Sequence, residues 1–170
     1  TLCIARIIEP IGNNDYKPSV ARWNMATEEI NPMPYEYPDL KKVRFIYAAS
    51  AEHQLYVQCY TQYDLMTICD FNGNLKCNIY GPKWVNEKTQ TQHYSLGVEF
   101  CGDKILALYS GGDHRTDAYY PTKFLVFDLN GNYLKTLETG YMITDFCYDK
   151  ENNRLIINLN DEIQFAYLDL

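Results

Sequence analysis

One short phrase recurs along the chain: an apolar pair, an aspartate, an apolar residue, Asn-Gly-Asn, then a fresh apolar run. It reads Ile68-Cys69-Asp70-Phe71-Asn72-Gly73-Asn74-Leu75, and again Val126-Phe127-Asp128-Leu129-Asn130-Gly131-Asn132-Tyr133. A third copy begins at Tyr167-Leu168-Asp169-Leu170. Asn-Gly between apolar runs marks a hairpin, because glycine accepts the positive φ that such a turn demands. Repetition at this period decides architecture before any single side chain does.

Each copy resolves into the same pieces. A first strand (Arg44–Ala48, Gly97–Phe100, Ile143–Tyr148) is followed by a tight polar turn. A second strand follows at Gln54–Gln58, Ile105–Tyr109 and Arg154–Asn158, and a third ends at Asp70, Asp128 or Asp169. The fourth follows the Asn-Gly turn, at Leu75–Tyr80 and Tyr133–Leu137. Aromatic residues make up 15% of the chain, with 16 tyrosines, which favours strands over helices. The run Met25–Ile30 has room for one helical turn before Pro32 ends it. The expected class is all-β.

Repeated four-stranded antiparallel units of about 40–45 residues are the blades of β-propellers. Asp70 and Asp128 lie 58 positions apart, Asp128 and Asp169 41 apart, the larger spacing being absorbed by long connections. The expected division is an orphan fourth strand at 1–10, a long loop at 11–43, blades at 44–80 and 97–138, and a three-stranded blade at 142–170. That makes about three four-stranded blades.

The two Asp-x-Asn-Gly-Asn hairpins and the turn Asp149-Lys150-Glu151-Asn152-Asn153-Arg154-Leu155 resemble the six-bladed TolB-like and NHL-like β-propellers. The resemblance covers 44–170 well and 10–43 poorly. It implies the C-terminal half of a six-bladed ring, and a bacterial protein that is secreted or lipid-anchored, in the periplasm or at the cell surface. It also implies a scaffold for assemblies. Three blades leave two sheet faces uncovered, more apolar area than soluble monomers tolerate. The partner is therefore the remaining half of the propeller, either upstream of Thr1 in the same chain or in a second copy paired head-to-tail. The start at Thr1, inside an apolar run, favours the upstream half.

The formal net charge is −7 with the basic residues scattered, unlike the positive footprint that nucleic acid requires. No apolar run approaches the roughly 18 residues of a membrane span. The six cysteines (Cys3, Cys59, Cys69, Cys77, Cys101, Cys147) show no Cys-x-x-Cys or Cys/His cluster and read as free thiols. The segment from Asp70 resembles the start of a calcium loop, but Gly81 stands where the bidentate glutamate belongs. No metal or cofactor is expected.

In a meander, alternate connections fall at opposite ends of the sheet. Here one end holds short turns only, and the other holds the long segments 11–42, 81–96 and 110–123. Function concentrates on long loops held by a rigid scaffold, which picks that end. Its densest polar stretch supplies the candidates Asp113, His114, Arg115, Asp117, Tyr119 and Tyr120. Asp113, His114 and Asp117 suit acid–base or metal chemistry in type, while the plainer reading is a solvated loop of Asx-turns. Trp84, His93 and Tyr94 in the middle segment, with Trp23, Tyr35 and Tyr37 in the first, have the composition of a stacking platform for a sugar or peptide. The plainer reading packs them on the blades, with Pro32, Pro34 and Pro38 stiffening the wrapper.

No G-x-S-x-G, H-E-x-x-H or phosphate loop is present. The reading that follows is a non-enzymatic binding or interaction module presenting its long loops to a protein, peptide or glycan. Two alternatives stay open: a glycan- or lactone-directed lyase or hydrolase at the propeller channel, and a structural fragment with no site of its own.

Overall fold

The computed structural model describes residues 2–37, 40 and 43–170. Fourteen strands form four antiparallel meander sheets, and no α-helix occurs among the described residues. The first sheet is β1 (Leu2–Gly12), β2 (Asp15–Asn24) and β3 (Glu29–Pro32). The second is β4 (Phe45–Ser50), β5 (Leu55–Tyr60), β6 (Leu65–Asp70) and β7 (Leu75–Tyr80). The third is β8 (Thr91–Cys101), β9 (Lys104–Asp113), β10 (Lys123–Asp128) and β11 (Tyr133–Glu138). The fourth is β12 (Ile143–Asp149), β13 (Arg154–Leu159) and β14 (Phe165–Asp169).

The two hairpins that carry the repeat are built alike. Asp70 Oδ1 accepts from the amides of Asn72 and Asn74, both at 2.9 Å, and its Oδ2 from Asn74 Nδ2 at 2.8 Å. Asp128 accepts from Asn130, at 2.9 Å, and from Asn132 amide and Nδ2, both at 2.8 Å. These bonds, led by the asparagine side chains, hold both carboxyls below their ordinary range. Gly73 and Gly131 take φ of +82° and +86°. Each hairpin is preceded by the same register shift, at Ile68/Cys69 and at Val126/Phe127, which adds one residue to the outer strand.

The sheets stack face to face through three apolar layers. Val20 of the first meets Phe45, Tyr56, Tyr60 and Leu65 of the second. Leu55, Val57, Met66 and Ile68 meet Tyr94, Val98, Ile105 and Phe127 across the next interface. Leu106, Leu108, Phe124 and Val126 meet Ile143, Leu155, Ile157 and Leu159 across the last. Burying a Leu, Ile or Phe of this kind is worth about 1.5–3 kcal/mol, so these layers hold the stack together. The first strands β4, β8 and β12 are neighbours along one edge, and Arg6 of β1 reaches the carbonyl of Phe45 at 3.1 Å. A cavity of about 710 Å³ opens along that edge, lined by Arg6, Ala48, Glu52, Glu99, Asp145 and Phe146 among others.

The N-terminal region corrects the expectation drawn from the sequence. Residues 1–10 were expected as an orphan fourth strand and 11–43 as a loop; instead β1 pairs with β2 from Leu2↔Asn24 to Gly12↔Asp15, and β3 adds to β2. Among the described residues the sheets therefore number four, not three. The turn is made by Gly12 and Asn14 at φ of +138° and +58°, in place of Asn-Gly. Pro18 sits opposite Ile8 beyond the reach of β3, on an edge where its missing N–H leaves no ladder bond unmade. The segment at Met25–Glu28 is a turn rather than a helical one. Pro38 and Lys42, the ends given to the wrapper and the first long segment, lie outside the described residues, as does Thr1.

The two end sheets each keep one uncovered face. Two and four residues before the repeat aspartate stand Ile68 and Met66, then Val126 and Phe124, all essentially fully buried by the following sheet. The equivalent Tyr167 and Phe165 of the fourth sheet are 63% and 68% exposed. On the first sheet Trp23 and Ile30, paired across β2 and β3, are also exposed.

Candidate functional site

The long connections after β7 and after β9 meet at one end of the stack. The His114 amide donates to Gln90 O at 3.1 Å, and Lys83 Nζ to Gly111 O at 3.4 Å. Both connections are shorter than the sequence indicates, because β8 begins at Thr91 and β9 runs to Asp113. Leu96, at φ +66°, and Gly97 form the irregularity between Tyr94 and Val98 that lets β8 bend and continue. A Cβ on Gly97 would press on the Phe146 ring. His93 and Tyr94 are thus buried strand residues, not loop residues.

The polar stretch at 110–120 is closed on itself. Asp113 binds Arg115 through both oxygens, Oδ2 to Nη2 at 3.0 Å and Oδ1 to Nε at 3.2 Å, and Oδ1 also accepts the Arg115 amide at 2.9 Å. The Arg115 side chain, then its amide, brings Asp113 down to about 2. His114 Nδ1 lies 2.9 Å from Gln90 O. Thr116 caps a single 3-10 turn, Asp117–Tyr119, and the rings of Tyr119 and Tyr120 stack at 4.2 Å. A Cβ on Gly112 would run into the Ala118 carbonyl, so the loop folds tightly on β9. The structure does bring these six sequence candidates together, as a self-satisfied loop.

A second acid–base pair lies deeper. Asp64 immediately precedes β6, and its side chain is 1% exposed; His93, from β8 of the next sheet, is 2% exposed. Asp64 Oδ2 accepts the Lys83 amide at 2.9 Å, and Gly81 donates its amide to the Asp64 carbonyl at 2.8 Å. A Cβ on Gly81 would collide with the Asp64 carboxyl, so only glycine lets the chain pass so close. Asp64 Oδ1 has no hydrogen-bond partner and stands 3.6 Å from His93 Nδ1, which in turn lies 3.3 Å from the Tyr109 hydroxyl. His93 Nε2 is also buried without a partner. Burial lowers the His93 pKa against the opposing pull of Asp64. Burial, then Asp64, pushes the Tyr109 phenol above its ordinary range.

Asp64 lines a cleft of about 400 Å³ between the second and third sheets. Ile79 and Tyr80 of β7 are on one side, with Leu125, Phe127, Tyr109 and Tyr133 on the other. Tyr94 and Tyr109 meet edge to face at 5.2 Å, and Phe127 and Tyr133 at 6.0 Å. Lys123 reaches in with Nζ 5.8 Å from the Tyr109 ring centre, and pairs with no carboxylate among the described residues. Aromatic walls, one incompletely satisfied buried carboxyl and a lone ammonium are the makeup of a ligand cleft.

Beside the cleft, Trp84 packs on Tyr80 at 5.0 Å, Tyr37 at 5.8 Å and Tyr63 at 6.3 Å. This joins Trp84 to the cleft wall through Tyr80. Trp23 is elsewhere: expected in a loop, it stands in β2 between Cys3 and Ile30 on the outer face of the first sheet. Asp64 was not among the sequence candidates; its one signal is an acid placed directly before an apolar strand, in Tyr63-Asp64-Leu65-Met66.

No family model and no curated protein matches the chain. Among solved structures it is similar to the extracellular domain of BT4673 from B. thetaiotaomicron, described as a hybrid two-component system, with TM-score 0.64, 10% identity, and 98% of this chain on 20% of that one. A second structure of that domain gives 0.62 at 10% identity, with 96% on 19%. Hydrazine synthase of Kuenenia stuttgartiensis gives 0.61 at 13% identity, with 89% on 40%. The chain thus spans about a fifth of the first two structures and two fifths of the third. At such identities the likeness concerns the fold alone.

Proposed function

We propose that the chain is a non-enzymatic binding module, part of a β-propeller of the TolB-like or NHL-like kind, whose ligand enters the cleft between the second and third sheets. The observation that carries this reading is Asp64: a fully buried carboxyl with an unpartnered oxygen at the wall of an aromatic cleft. A purely structural interior pairs such an oxygen, because leaving it dry and unbonded is unfavourable. The ligand is a segment of protein or peptide, or a glycan, held by Tyr80, Tyr109 and Tyr133. A peptide and glycan array probed with the intact protein tests this. Ligands retained by the native protein and lost on Tyr80→Ala and Tyr133→Ala support it, and no retained ligand with the fold intact overturns it.

The likeness to extracellular domains favours a periplasmic or cell-surface setting. Among the described residues no helix is long and apolar enough to cross a membrane. The exposed Tyr167 and Phe165 occupy the register that stacks each sheet on the next, so further sheets, from the same polypeptide or a second copy, cover that face.

One observation favours a second reading, a lyase or hydrolase at the first-strand edge. Glu99 Oε2 is buried without a partner in the larger cavity, and burial, with Asp145 nearby, raises the Glu99 pKa. A carboxyl so placed is suited to general-acid work. Turnover of a glycan or lactone panel that disappears in Glu99→Gln would establish that reading.

A further inference from the structure

Resting on the cleft as the binding site, we infer that its ligand group is an alkylammonium, the end of a lysine side chain presented by a peptide or protein partner. Four features of the cleft bear on that chemistry. The acceptor behind its wall is the buried carboxyl oxygen Asp64 Oδ1, which no well-formed hydrogen bond satisfies and which an anion would meet with repulsion and a plain hydrocarbon would leave unbonded. The cleft walls are aromatic and aliphatic, Tyr80, Tyr109, Tyr133, Ile79, Leu125 and Phe127. Such walls fit a methylene stem and present ring faces to a cation. The neighbouring imidazole, His93, has its pKa lowered by burial, which disfavours its charged form beside the acid.

The fourth feature is Lys123. Its own alkylammonium already lies in the cleft, with Nζ 5.8 Å from the Tyr109 ring centre and no acidic partner. It is a tethered group of the same chemistry, resting on the wall rather than on Asp64. An incoming lysine competes with it electrostatically. Removing Lys123 therefore strengthens binding, whereas removing the charge of Asp64 weakens it.

The test titrates the intact protein with Nα-acetyl-lysine N-methylamide and, separately, with the norleucine analogue that lacks only the ammonium, reading amide shifts and calorimetry. The lysine compound is expected to shift Gly81, Lys83 and Tyr109, and the norleucine compound to bind at least tenfold more weakly. Asp64→Asn is expected to weaken the lysine compound at least tenfold, and Lys123→Met to tighten it severalfold. If Asp64→Asn does not fold, the two compounds and Lys123→Met decide the matter alone. Equal binding of both compounds, or weaker binding in Lys123→Met, overturns the inference. So does binding of a neutral oligosaccharide at the same amides with no response to lysine, an outcome that leaves the cleft a binding site. Silence from lysine compounds and from every array ligand removes the underlying reading as well.

Discussion

Two Asp–His pairs sit at the same end of this molecule with nearly the same separation, 3.6 Å for Asp64–His93 and 3.7 Å for Asp113–His114. One is sealed between sheets; the other is 37–41% exposed on a loop. In the loop, the Arg115 side chain and the Arg115 amide engage both oxygens of Asp113, and solvent screens what is left. In the cleft, the Lys83 amide supplies one bond and the second oxygen is left over. Equal spacing therefore carries opposite meaning: the exposed pair is a folded loop's own hardware, and the buried pair holds unsatisfied bonding capacity beside the cleft.

The largest difference should appear in stability. Asp64→Asn disturbs a buried acceptor and is expected to destabilise by about 1–3 kcal/mol in urea unfolding. Asp113→Asn, exposed and screened by solvent, should move the urea midpoint far less, and equal losses would break the contrast. Next, Gly81→Ala forces a methyl against the Asp64 carboxyl and should destabilise by roughly 1–3 kcal/mol, as overpacking does. A neutral outcome would show that the Gly81–Asp64 approach is slack.

The pH dependence sharpens the comparison further. The His93 pKa is lower in the folded chain, so between that value and the unfolded value near 6.5 the unfolded chain binds more protons. Stability is therefore full above about pH 6.5 and falls as the pH drops below it, and His93→Gln should flatten that slope. Asp113 behaves in a different window. Its contribution is present above its ordinary value of 3.8 and is lost as the pH falls toward about 2. The smallest effect is local: an Asp113 carboxyl titration by NMR should show a midpoint near 2 that moves up toward 3.8 in Arg115→Ala.

The hairpins were legible because their chemistry is local: Asp70 and Asp128 bind amides only two and four residues ahead. The N-terminal sheet was not, since Pro10 and Pro18 flank its turn and Asn13-Asn14 is a weaker hairpin signal than Asn-Gly. The stacked sheets make those prolines harmless at an edge, a fact no local window contains. For the site, His93 was visible by type, but Asp64 stands 29 positions away and meets it only through the packing of one sheet on the next. Density of polar residues instead pointed to 110–120, where the charges cancel one another.

A crystal of the intact protein soaked with Nα-acetyl-lysine N-methylamide tests the central assignment most directly. The account predicts density between the second and third sheets, with the ammonium nitrogen about 3 Å from Asp64 Oδ1. Density at the 110–120 loop or at the first-strand edge, with the cleft empty, would contradict it.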